Sequence, residues 1–424
     1  MKLKLLLFSA VIVLASFQQK KDEPLTHQTI NTETDKIFDK LVKIRRNFHE
    51  NPELAGKEKQ TQEFIKQYLL DLGLKVETDV YGHGIVGILE GNKKGKKIAW
   101  RSDMDALPNN FPDKVDFKSK IDGVQHGCGH DVHMAIGLGI AEILSKNKKL
   151  LNGTVYFIFQ PEEETFVGAK AMIEGGLFTR IKPDEIYALH VSALPVGKIM
   201  ARPNEMFAYQ KRVRIKLKNE LSNEEAKELS QKIYRKLFRT RENTKPWDIQ
   251  FLADPNLGLS NPNTIFQDYL FMDKDFRIRT KENELLLEAY VYETNKSNQQ
   301  NIIPEIEQVI KETKYKDLLV SIDYIQNNPT IQNNEKLTDQ AINTISKVYG
   351  KQSVLPDYGQ IPYFNDDFAY FQQKVPGVYF LLGGSNLEKG IIAMNHAPNF
   401  MVDEECLRIG VKSFSSLIAE RLKP

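Results

Sequence analysis

The spacing of apolar side chains divides the chain into alternating helices and strands. Positions 31–49 place Ile37, Leu41 and Ile44 at helical intervals, and Asn51-Pro52 breaks the pattern. A second helix is predicted over 57–72, where Phe64, Ile65, Tyr68, Leu69 and Leu72 form one apolar stripe that Gly73 ends. Short apolar or β-branched runs at 84–89, 97–100, 154–159 and 185–189 read as strands, with helices at 133–144 and 169–174 between them. Polar residues close these runs. Asp103 and Asp105 follow the second, Gln160 to Glu164 follow the third, and His190 closes the fourth. This alternation predicts a mostly parallel sheet with one functional edge, because ligands bind where the strands of such sheets end.

The pattern changes after Arg202. From 204 to 326 there is no histidine and no cysteine, and lysine, glutamate and asparagine dominate. Strands at 212–217 and 285–292 alternate, and helices are predicted at 224–238 and 301–313, so this stretch reads as a sheet with one face covered by helices. The first pattern returns from Pro329, with a helix at 337–349, a strand at 378–382, a loop carrying His396 and a last helix at 403–422. The expected fold is α/β: a mostly parallel-sheet domain built from residues 28–203 and 328–424, interrupted by a smaller α+β domain at 204–327. There is no internal repeat, no phosphate-cradling glycine loop after a strand and no serine-elbow pentapeptide.

Composition changes this picture little. A length of 424 residues fits two domains, and 41% hydrophobic with 27% charged residues is the usage of a soluble globular protein. A net charge of +2 gives no electrostatic reason to expect nucleic acid or an anionic membrane as partner. The N-terminus adds more. Lys2 and Lys4 precede an apolar run from Leu5 to Phe17, too short to span a bilayer but suited to a signal peptide over 1–17, with Val13 and Ala15 offering a small-residue cleavage site. The body is therefore expected in the periplasm or outside the cell, with no stable membrane insertion once the signal is removed. In that oxidising space the two cysteines, Cys128 and Cys406, can in principle pair. Cys406 lies in the predicted last helix and reads as core, leaving Cys128 as a metal ligand.

The densest chemistry is His126-Gly127-Cys128-Gly129-His130-Asp131, followed by Val132 and His133. Glycines around the sulfur permit tight turns, so Cys128 and His130 can face one cavity as ligands for a first-row metal. Asp131 is placed to hold the far nitrogen of a ligand imidazole. Two aspartates two apart, Asp103 and Asp105, share one face at a strand end. In the cluster Glu162-Glu163-Glu164 one carboxylate can bind metal while its neighbour moves a proton. Cys128, His130, Glu164, His190 and His396 together exceed the needs of one tetrahedral zinc, which suggests two metal ions with a bridging group.

This set resembles the M20 family of metallopeptidases and amidohydrolases, in its aminoacylase-like, hippurate-hydrolase-like and auxin-conjugate-hydrolase-like branch. The matching pieces are 45–54, Arg101-Ser102-Asp103-Met104-Asp105-Ala106-Leu107-Pro108, 126–133, 160–164, Leu189-His190-Val191 and His396-Ala397-Pro398-Asn399-Phe400. The resemblance implies two divalent metal ions, zinc first and manganese, cobalt or nickel as alternatives, held by Cys128, His130, Glu164, His190 and His396. It implies Glu163 as general base and acid, Asp105 as the aspartate that orients a ligand or tunes the base, and Asp103 as a supporting residue. It further implies hydrolysis of N-acyl amino acids or related conjugates, with a dipeptidase or carboxypeptidase, or an exported metal-retaining binding protein, as alternatives. Small amides or short peptides are the expected substrates. The inserted domain is expected to be a ferredoxin-like lid that can form a homodimer. The chain departs from the family pattern in that lid. It has no histidine between His190 and His396, and the strand Glu288-Ala289-Tyr290-Val291-Tyr292-Glu293 lacks the family's carboxylate-gripping arginine. Arg212, Arg214, Arg277 and Arg279 are the candidate substitutes.

Overall fold

The computed structural model describes residues 25–78 and 80–423. The expected signal segment lies outside these residues. An eight-stranded sheet forms the larger body, in the order Lys75–Glu77, Ile85–Glu90, Asn152–Gln160, Lys93–Asp103, Glu185–Pro195, Gly377–Ser385, Ile199–Met200 and Val354–Leu355. The four central strands run parallel, and Ile85–Glu90 pairs antiparallel beside them. These central strands are apolar on both faces because helices cover both. One face packs against His27–Glu50, Lys59–Asp71, His130–Lys146, Glu335–Tyr349 and Glu405–Arg421. The other carries Gly168–Glu174 and Phe368–Gln372. His130–Lys146 is buried along nearly its whole length. At Gly137 a Cβ would stand 2.6 Å from Ser102 Oγ, so glycine is what lets this helix lie flat on the sheet.

Register brings the polar strand ends to one edge. Asp103 is level with Gln160 on the next strand. On the other side Arg101 is level with Ala188, so Asp103 and His190 stand at the same height. Here the structure corrects the sequence reading: the strand does not close at His190 but continues to Pro195. Pairing with Gly377–Ser385, which runs to Ser385, carries it past the edge formed by its neighbours.

The second sheet is antiparallel and five-stranded. Its order is Arg277–Lys281, Glu284–Glu293, Tyr209–Lys218 and Leu319–Gln326, with Leu270–Met272 also on Glu284–Glu293. With helices Asn223–Leu237 and Ile302–Lys311 in sequence between strands, and the short Leu270–Met272 set aside, this is a βαββαβ, ferredoxin-like arrangement. Val213, Ile215 and Leu217 point into the core beneath the helices. Arg212 and Arg214 alternate onto the opposite face, where Arg212, Arg214 and Arg279 all reach the buried carboxylate of Glu288.

Candidate metal centre

Gly129 sets the geometry. Its backbone is left-handed, with φ of 94°, and a Cβ there would come within 2.3 Å of Val191 Cγ1. The turn it makes aims Cys128 and His130 into the same pocket, and His130 opens the long buried helix. His130 Nδ1 donates to the backbone oxygen of Asp105 at 2.8 Å, which leaves Nε2 as the free acceptor nitrogen. His190 is held alike, with Nδ1 donating to Val191 O at 2.7 Å and Nε2 lying 3.3 Å from Cys128 Sγ. His396 arrives from a loop 268 residues away along the chain, and its Nε2 stands 3.1 Å from Cys128 Sγ and 3.4 Å from Glu164 Oε1. Two bonds from Asn395 Nδ2, to Cys128 O and Val191 O, pin that loop, as does His396 N donating to Gly127 O.

Among the described residues, several triads of donor atoms lie within 4.8 Å of one another, and two of them, Cys128/His130/His190 and Cys128/Glu164/His396, unite the five expected ligands. Cys128 belongs to both. The fit is also visible in unmet polar atoms: His130 Nε2 and Glu164 Oε1 are buried without a hydrogen-bond partner. Sulfur, imidazole and carboxylate donors together suit first-row divalent ions.

Electrostatics point the same way. Burial pushes the Cys128 thiol well up, and Glu164 and Glu163 add to it; a bound cation reverses that balance and favours the thiolate. Burial and the neighbouring His133 hold His190 well down, in the neutral form that ligates. For His130 burial opposes the charge, but Asp103, the bond to Asp105 and Glu164 outweigh it and carry the group to about 10, a sign of how much negative charge converges here. Glu163 is pushed well above the usual carboxylate range by burial, Asp366, Glu164 and Asp367.

The residues around this cluster fix its shape. Asp105 spends both carboxylate oxygens on backbone, accepting from Glu163 N and Glu164 N at 3.0 Å each. Asp103 accepts from Arg101 Nη1 and from His133 Nδ1, both at 2.6 Å, while His133 Nε2 accepts from Val191 N. His133 is thereby committed to holding the His190 strand. Asp131 does not support a ligand imidazole, contrary to the sequence reading. It sits under the N-terminal helix, bonded to His49 Nδ1 and Arg45 Nε, because that helix crosses the start of His130–Lys146 and brings its own imidazole there. His126 stays out of the donor set: it is buried, neither ring nitrogen has a partner, and burial lowers it to about 3. The two cysteines are both free, and Cys406 is core.

Sequence reasoning missed one group entirely. Asp366 and Asp367 are buried beside Glu163 and share the guanidinium of Arg101, which also donates to Gln160 Oε1. Tyr379 OH donates to Asp366 at 2.7 Å. The only available signal was an adjacent acidic pair before an apolar turn, which reads as a solvated cap.

A cavity of about 360 Å³ opens over the cluster, with Cys128, Glu163, Glu164, His190 and His396 on one wall and Gln210 and Gln326 of the second sheet on another. The sequence profile described as "Peptidase family M20/M25/M40" matches residues 99–420, most of the chain. The chain belongs to this family. The M20 protein is similar to Thermostable carboxypeptidase 2 of Saccharolobus solfataricus, 31% identical, over 92% of this chain and 97% of the relative. It is also similar to IAA-amino acid hydrolase ILR1-like 2 of Arabidopsis thaliana, 29% identical, over 91% of this chain and 86% of the relative. Among solved structures it shares the fold of the Bacillus subtilis YXEP protein, described as a dinuclear metal binding peptidase from M20 family. The TM-score is 0.72 at 24% identity, covering 92% of this chain and 99% of that one. The M20 protein is thus a metal-dependent peptidase or amidohydrolase, an enzyme of the class that hydrolyses amide bonds in small amides and peptides.

Proposed function

We propose that this M20 enzyme cleaves the amide bond of N-acyl amino acids or related conjugates, with Cys128, His130, Glu164, His190 and His396 holding two divalent cations and Glu163 moving the proton. The observation that carries the reading is the sulfur of Cys128 within 3.3 Å of His190 Nε2 and 3.1 Å of His396 Nε2, beside the free-facing carboxyl of Glu163 in the same cavity. Zinc is the first expectation for the pair, with manganese, cobalt or nickel able to occupy the same donors. When bound, such ions polarise a carbonyl and acidify water, typically from a pKa of 15.7 to about 7.

The chain's own residues account for the rest. Asp105 fixes the backbone of Glu163 and Glu164, so the two side chains diverge from one rigid turn toward separate tasks. Glu163 takes a proton from the attacking water and returns it to the leaving amine. Its high proton affinity, set by burial and by Asp366, suits a group that must hold the proton between those events. A peptidase acting on dipeptides or peptide C-termini is the second reading, favoured by the similarity to a carboxypeptidase. Two wider proposals accompany the reading. The basic and apolar pattern of residues 1–17 supports export to the periplasm or beyond. The edge strand Leu319–Gln326, with Val320 and Ile325 exposed, supports pairing of two copies through the second sheet.

Cys128→Ala and Glu163→Ala are both expected to abolish release of the acyl group from N-acetyl and N-benzoyl amino acids. Metal analysis then separates the roles: Cys128→Ala loses metal, whereas Glu163→Ala keeps it. Complete metal loss in Glu163→Ala would contradict its assignment as the proton-moving group.

A further inference from the structure

The cavity wall that faces away from the donor cluster is neutral. Its polar groups are the carboxamides of Gln210, Gln326 and Asn365, while Ser192 and Asn395 stand nearer the donors, on the His190 strand and the His396 loop. Its apolar groups are largely rings, from Phe166, Phe207, Tyr363, Phe364 and Tyr379. Among the described residues that line the cavity there is no lysine and no arginine.

The arginines nearest in the fold are occupied. Arg212 follows Gln210 by two positions on the same strand face, yet its Nη2 lies 2.7 Å from Glu288 Oε2. Arg214 and Arg279 converge on the other oxygen of that same carboxylate. Glu288 is buried, so releasing an arginine toward a substrate would uncover a carboxylate that needs all three. Arg101 is likewise enclosed among Asp103, Asp366 and Asp367. Arg277, the remaining candidate, is exposed on the strand at the sheet's edge and does not line the cavity.

Two of the rings are held at a cost. Phe166 and Tyr363 have φ of 58° and 66°, a left-handed backbone that bulky side chains seldom adopt. Strain of this kind persists where surrounding structure enforces it, and it gathers at ligand sites. Tyr363 is enforced by an edge-on contact with Tyr292, ring centres 4.7 Å apart, and by Phe271. Both strained residues line the same cavity, although they lie far apart along the chain.

We infer that the site selects aromatic conjugates whose amine part carries no free carboxylate: N-aroyl amino acid carboxamides and similar neutral amides. Rings clasp the planar group, and Gln210 and Gln326 hydrogen-bond the neutral amide. A carboxylate entering the same space meets no cationic side chain to replace its lost water. This inference rests on the amidohydrolase reading above and, within it, sets related conjugates without a free carboxylate ahead of N-acyl amino acids themselves.

The test uses the metal-loaded full-length protein with N-benzoyl-phenylalanine and N-benzoyl-phenylalaninamide, reading benzoate release from each. The carboxamide is expected to lead in kcat/KM by about tenfold or more. Equal values, or preference for the acid, would overturn the inference while leaving the amidohydrolase reading intact. Gln326→Arg places a cation in the wall and is expected to shift the ratio toward the acid by about tenfold; an unchanged ratio would also count against it. If neither compound is cleaved at full metal occupancy, the amidohydrolase reading fails, and thermal protection decides the inference separately. Greater protection by the carboxamide supports it, and greater protection by the acid overturns it.

Discussion

Asp105 spends its oxygens on the chain itself, and the proposed chemistry depends on it. Both of its oxygens accept backbone N–H groups, those of Glu163 and Glu164, and its own carbonyl accepts His130 Nδ1. One residue therefore orients two expected metal ligands and the proposed base together. Asp105→Ala strands two buried N–H donors, at roughly 1–3 kcal/mol each, and frees the turn that carries the glutamates. Its kcat is expected to fall about 10²-fold, since an ångström of misplacement at the reacting groups costs that much. Asp105→Asn keeps one acceptor and turns an NH₂ toward the other donor, so it should fall between the alanine variant and the wild type. Steady-state kinetics with metal content measured in parallel checks this. Equal kcat in wild type and Asp105→Ala would show that the turn holds without the carboxylate.

At the level of elements, what the sequence revealed and what it hid separate by distance along the chain. The buried parts of the strands Asn152–Gln160 and Lys93–Asp103 were legible because a short apolar run must be buried on both faces, and polar residues then mark its end; the lysine-rich, largely exposed start of the second, 93–96, gave no such signal. The Cys128/His130 turn was legible because its glycines and donors are adjacent. Asp366 and Asp367 were not, because what buries them is Arg101, 265 residues earlier. The role of Asp131 was misread for the same reason: His49, its partner, comes from the first helix, 82 residues away. Glu58 is another such case. It stands at the start of the helix Lys59–Asp71 and is fully buried, accepting from Glu162 N through Oε1 while Oε2 has no partner. Burial, with Asp105 nearby, raises its carboxyl from 4.5 to about 7. A carboxyl raised on folding stabilises the native state fully below its ordinary pKa, and that contribution is lost as pH rises through about 7. The loss is on the order of 3 kcal/mol for a shift of this size. Glu58→Gln keeps an acceptor for Glu162 N and removes the charge. Thermal unfolding should show it close to wild type near pH 4.5 and more stable than wild type near pH 8. Parallel pH profiles for the two proteins would remove Glu58 as the source.

For the whole molecule, the proposed donor set would act as a clasp on the fold. Cys128 and His130 come from the turn that opens a helix, Glu164 from the turn after one strand, His190 from within another, and His396 from the loop ahead of the last helix. These segments lie apart in an unfolded chain, so cations that bind them together bind the native state alone and stabilise it by mass action, about 4 kcal/mol when free metal exceeds Kd a thousandfold. Chelation is therefore expected to lower Tm, by something on the order of 5 °C for a chain of this size. The variants discriminate this from a general effect of chelator. Cys128→Ala lacks the atom common to both triads, so its Tm should already be low and respond little to chelation. Glu163→Ala should respond as wild type does, because its carboxylate faces the cavity while both triads remain whole. Acid should mimic chelation, since the Cys128 thiol, pushed up by burial, has to lose its proton before it can ligate. Metal affinity is accordingly expected to weaken steadily as pH falls, and a pH-independent affinity would mean that the sulfur is no ligand.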